Sequence, residues 1–167
     1  MRKLLIGLSV LALLLVSVDA GVATGATHAD TLQQLAAVRQ ATVKYHDVTQ
    51  AVANGYIPVS PCEALPGAGA MGIHYLNPAL ASDLAIDPTM PEVLLYAPSG
   101  GSLRLVGVEY FVANAGQPHP QLFGRASDGP MAGHGPGMPE HYDLHAWLWQ
   151  ANPEGVFAQW NPSVSCG

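Results

Sequence analysis

The chain has 167 residues with 6 basic and 12 acidic side chains, a formal net charge of −6, and only 11% of its residues charged. A protein so sparsely charged and acidic has no cationic face for nucleic acid or an anionic membrane surface, which excludes both as partners. With its leader set aside, about 140 residues remain, enough for one domain with a real core.

The leader is read from three zones: basic Arg2 and Lys3, an uncharged apolar run from Leu4 to Val18, and small residues from Ala20 to Ala26. That is the layout of a secretory signal peptide. The apolar run falls short of the roughly twenty residues a spanning helix needs, so the mature chain is expected to carry no membrane anchor. Cleavage after Ala20 or after Ala26 fits equally. Residues 1–26 are assigned to the signal peptide and 27–167 to a single globular domain, secreted or periplasmic.

From Asp30 to Asn54 the spacing of Leu35, Val38, Tyr45, Val48 and Val52 predicts one long amphipathic helix, capped by Asp30 and ended by Gly55. Residues 57–70 read as loop. Strand character follows in Met71 to Leu76, Val93 to Ala97 and Leu103 to Val112. Between the last two, Gly100 and Gly101 can take the positive φ angles of a tight turn, which predicts an antiparallel hairpin. Ala113 to Glu140 is a long Gly/Pro-rich segment, read as a second loop.

His141 to Gln150 admits two readings. Pro139 and Pro153 would bracket a helix well. A strand places Tyr142, Leu144, Ala146 and Leu148 on one face and His141, Asp143, His145, Trp147 and Trp149 on the other, and this complete alternation favours it. On a strand, His141 and His145 stand about 13 Å apart, too far to hold one ion together.

Cys62 and Cys166 are the only cysteines. In an oxidising compartment they are expected to form one disulfide closing most of the domain; thiolate metal ligation is the alternative. The elements together predict an α+β fold in which an N-terminal amphipathic helix packs on an antiparallel sheet, either open or rolled into a barrel-like form.

The chemistry concentrates between residues 131 and 145, where Met131, His134, Met138, His141, Asp143 and His145 crowd into one stretch. Glu109 is a lone carboxylate in the apolar run Leu105 to Phe111, and such a group is expensive to bury without a partner. His74 is similarly isolated in Met71-Gly72-Ile73-His74-Tyr75. Either residue alone reads as a satisfied structural group. Together with His145 they would supply a His/His/Glu set suited to zinc, iron or copper. His74, Glu109, His141 and His145 are the favoured ligands, with His134 as an accessory. Met131, His134 and Met138 admit a softer copper reading, against a plain surface loop. No nucleophile elbow, His-Glu-x-x-His helix or phosphate-binding loop is present. Trp147, Trp149, Tyr75, Tyr96 and Phe111 either pack a core or line a pocket for an apolar or aromatic ligand.

The blocks Gly72-Ile73-His74-Tyr75-Leu76-Asn77-Pro78, Pro91-Glu92-Val93-Leu94-Leu95-Tyr96, Leu105-Val106-Gly107-Val108-Glu109-Tyr110 and His141-Tyr142-Asp143-Leu144-His145-Ala146-Trp147-Leu148-Trp149 carry a resemblance. The chain resembles a widespread set of small exported bacterial proteins with these blocks, an Asn-Pro-x-Gly segment and a Trp-Asn-Pro ending. The resemblance implies export from a bacterial cell and assigns no reaction. An exported metal-binding protein, taking zinc or copper through His and Glu ligands, is therefore the leading expectation. A binding module for a small apolar or aromatic molecule and a small metalloenzyme are the alternatives.

Overall fold

The computed structural model describes residues 27–167, so the signal peptide expected over residues 1–26 lies outside the described residues. Helix α1 (His28–Thr42) is capped by Thr27, whose hydroxyl accepts the Asp30 backbone N–H while the Asp30 carboxylate accepts the Thr27 N–H. Asp30 thus closes a capping box three residues inside the helix and is not the cap itself. The single long helix expected to run to Asn54 is broken. A 3-10 turn over Val43–His46 leads to Asp47, which is extended at ψ 106° and caps a second helix, α2 (Val48–Ala53), by accepting the Thr49 N–H at 2.9 Å. An aspartate offers the backbone this alternative partner, and here it starts a second helix.

Beyond α2 the expected loop over 57–70 holds two short strands, β1 (Ile57–Pro58) and β2 (Glu63–Leu65), and the start of β3 (Gly69–Leu76). Both short strands add to the edge of β3. The predicted hairpin is present: β4 (Val93–Ser99) and β5 (Ser102–Ala113) are joined through Gly100 and Gly101 at φ 55° and 82°. A residue with a Cβ would be strained at both positions, so the glycines set the hairpin register.

The segment from 113 to 140 is not one long loop. It contains β6 (Gln121–Leu122) and β7 (Arg125–Ala126), which pair with each other, and β8 (Asp128–Met131), which pairs with the following strand. Strand β9 (His141–Ala146) confirms the alternating reading but stops at Ala146, so Trp147 to Gln150 leave the sheet. The main sheet runs β1-β3-β4-β5-β9-β8, with β2 also on β3 and every pairing antiparallel. It is open and not closed into a barrel; its two ends, β1 and β8, are not paired to each other.

The sheet has two covered faces. Leu94, Tyr96, Leu105, Val108, Tyr110 and Leu144 pack against Leu35, Val38 and Tyr45 from the helical layer. Val93, Leu95, Ala97 and Val106 face the other way, against Trp147 and Val164 of the C-terminal segment. The disulfide between Cys62 and Cys166, with Cα atoms 5.6 Å apart, ties that segment to the loop before β2. Asn161, fully buried, bridges to Ala70 on β3. The tail is thus a structural cover for one face of the sheet, and the polar side chains of interest lie on that face.

Candidate metal centre

Antiparallel register decides which of the sequence's candidates meet. Glu109 on β5 is opposite Val93 on β4 and His145 on β9, while His74 on β3 is opposite Leu95. Side chains directly opposite one another share a face of the sheet. His74, Glu109 and His145 therefore project to the tail-covered side, spread over three strands. His74 Nε2 lies 3.3 Å and His145 Nε2 3.7 Å from the same oxygen, Glu109 Oε2. The three potential ligand atoms all lie within 4.8 Å of one another. All three residues are buried.

The hydrogen bonds around His74 fix which nitrogen faces the carboxylate. Ser60 Oγ donates to the Pro61 carbonyl at 2.8 Å and accepts the His74 backbone N–H at 3.2 Å, and His74 Nδ1 lies 3.0 Å from the same oxygen. With its one proton already committed, the Ser60 hydroxyl accepts the Nδ1 proton, which leaves a lone pair on Nε2. Glu63 Oε1, 3.7 Å from Nδ1, favours the same tautomer. Ser60 and Glu63 therefore orient the ring from behind, as outer partners do around ligating histidines. Both fall in the stretch read as loop, where no periodicity marks them; their closeness to Cys62 is the one sequence signal that they are held in place.

Glu109 Oε2 and both ring nitrogens of His145 are buried without a hydrogen-bond partner. A neutral Nε2 lone pair aimed at a carboxylate oxygen is a contact between two acceptors, which a proton or a metal cation between them makes favourable. Burial alone would push the Glu109 carboxyl up, but the His145 and His74 rings outweigh it and hold the group well below its ordinary range. Burial pulls His145 down, against the opposing pull of the Glu109 carboxylate. Burial would also lower His74, yet its contact with the Glu109 carboxylate, followed by Glu63, raises it. The trio thus sets a buried carboxylate, held below its ordinary range, between two imidazoles.

His141 does not join this group, nor does His134 act as its accessory. One ligand atom each from His134, His141 and Asp143 lie within 4.8 Å of one another as a separate cluster. The distance along β9 that separates His141 from His145 enforces the division. Met131 pairs with His141 at the sheet edge, and Met138 closes a turn onto Gly135.

The aromatic side chains take structural positions. Trp147 is buried in the second core and its indole N–H donates to the Ala158 carbonyl at 2.6 Å. Tyr75 and Tyr96 stack edge-on at 4.9 Å in the helical core. Phe111 lies 5.0 Å from His141 in a stacked arrangement, and half-buried Trp149 packs against His46. Both cysteines are consumed by the disulfide, so no thiolate is present for a metal.

No family model, characterised protein or solved structure matches the chain.

Proposed function

We propose that this protein is an exported metal-binding protein whose buried ion is held by His74 Nε2, Glu109 Oε2 and His145 Nε2. The observation that carries the reading is the convergence of two imidazoles on a carboxylate oxygen that has no hydrogen-bond donor, deep in an otherwise apolar face. Two nitrogens and one oxygen form a donor set of intermediate hardness, which suits zinc and copper(II) better than calcium or magnesium. With no thiolate available, zinc fits this set best. The depth of the site favours retention of the ion over rapid turnover of a substrate at it, so binding is favoured over catalysis. The disulfide and the signal-like leader support residence in an oxidising compartment.

Disulfide-bonded protein, stripped by a chelator and titrated with zinc(II), should show a stoichiometric site that disappears in His145→Ala and in Glu109→Gln while circular dichroism stays native. Cobalt(II) should give the d–d absorption of a nitrogen and oxygen shell at the same site. A wild-type chain that takes up no zinc, or takes it up equally well after both substitutions, overturns the reading.

A further inference from the structure

We infer that His134, His141 and Asp143 form a second metal site, separate from the buried trio and open to exchange with solvent. The His141 ring is prepared for ligation: its Nδ1 lies 3.0 Å from the Pro139 carbonyl, so the proton resides there and Nε2 is left as a lone pair. That Nε2 is 3.9 Å from Asp143 Oδ2, and the two atoms are separated by too much for a hydrogen bond yet suitably for ligation of one ion between them. His141 and Asp143 are 1% and 2% exposed, and Asp143 Oδ1 has no hydrogen-bond partner. A carboxylate is costly to keep charged at this depth, and a cation beside it offsets that cost.

His134 supplies the third ligand from the opposite side. It is exposed on the turn between β8 and β9, with its ring 5.2 Å from that of His141. The turn folds tightly on itself: a Cβ at Gly133 would lie 1.9 Å from the Met138 carbonyl oxygen. Only glycine permits that approach, which brings His134 back over β9. Two imidazoles and one carboxylate match the buried trio in donor type, so the ion is again a divalent one of the zinc class. The contrast is in access. One ligand here is at the surface, which leaves a coordination position for water or an incoming donor.

The chelator-stripped, disulfide-bonded full chain, titrated with zinc(II) alone, tests this. Two sites are expected, the weaker of which loses at least tenfold in affinity in His134→Ala and in Asp143→Asn, while the tighter one survives both and is lost in His145→Ala. In nitrogen NMR, the first equivalent should shift the His74 and His145 imidazoles and the second those of His134 and His141. His134 is exposed and its replacement leaves the fold intact, so its result stands even where Asp143→Asn fails to fold. A single zinc, indifferent to His134→Ala and lost in His145→Ala, overturns the second site and leaves the buried one standing. A single zinc with the reverse pattern supports the second site and removes the buried one. No bound zinc overturns both.

Discussion

His74 Nε2 and Glu109 Oε2 meet at 3.3 Å although their strands are not neighbours: β4 runs between β3 and β5, and the two side chains reach each other over Val93 and Leu95. The contact spans the whole width of β4. Gly107 is part of the arrangement, because a Cβ there would lie 2.9 Å from the Ala146 carbonyl oxygen and 3.2 Å from the Trp147 indole. Its bare backbone lets Trp147 settle beside His145, whose ring it flanks at 6.3 Å.

Ser60→Ala should weaken zinc binding at the buried site without unfolding the protein. The hydroxyl accepts the His74 Nδ1 proton, and without it Nε2 can carry the proton that zinc must displace. Losing such an outer partner typically costs about 10- to 100-fold in affinity. Competition against a chromogenic chelator measures the change. Unaltered affinity would show that Glu63 alone orients the ring.

Opening the disulfide by Cys62→Ala with Cys166→Ala should cost stability and leave the sheet pairing intact. The bridge closes a loop of 104 residues and holds the segment that covers the second core. Removing such a bridge typically costs about 2 to 5 kcal/mol. The midpoint of urea unfolding should fall accordingly. An unchanged midpoint would mean that Val164 and the Ala70–Asn161 bridge hold the tail unaided.

Tyr96→Phe tests the joint between the helices and the sheet. The Tyr96 hydroxyl, fully buried, donates to the Tyr45 carbonyl at 2.6 Å, in the 3-10 turn where the first helix ends. Removing it leaves that carbonyl buried without its donor, at a cost of about 1 to 3 kcal/mol. The loss should be visible in urea unfolding with no change in metal affinity, because Tyr96 faces the helical side.

The strands that carry the site were legible because alternation records burial directly: Leu144 and Ala146 point to one core while His141, Asp143 and His145 point to the other face. The hairpin was legible because Gly100 and Gly101 have a specific backbone task. The break at Asp47 was not, since apolar residues keep helical spacing on both sides of it and the capping bond is a local competition that periodicity does not register. The separation of His141 from His145 followed from their spacing on a strand, and the register against β5, with Glu109 opposite His145 and Ala113 opposite His141, sets which of them meets Glu109. Ser60 and Glu63 were invisible because their roles depend on β2 and the loop before it folding onto β3.

Glu92→Gln should stabilise the protein at alkaline pH and make little difference in acid. Glu92 is buried at the entrance to β4, and its Oε2 accepts the Phe111 backbone N–H at 3.1 Å. Burial pushes its carboxyl up to about 7; the backbone hydrogen bonds oppose this, and Asp83 and Glu109 add to it. The unfolded chain releases the same proton near the ordinary value of 4.5. Below that value both states are protonated and the side chain carries no charge penalty. As the pH rises from there toward 7, the unfolded chain ionises first and the folded state loses stability relative to it. Above 7 the full cost of burying the charge is present, at most about 3 kcal/mol for a gap of this size. Glutamine keeps an acceptor for Phe111 and cannot ionise. With a chelator present to keep both metal sites empty, Tm of Glu92→Gln should exceed that of the wild type at pH 8, by up to roughly 6 to 12 °C for a domain of this size. At pH 4.5 the two curves should nearly coincide. A Tm difference that is the same at both values would show that Glu92 ionises as freely in the fold as outside it.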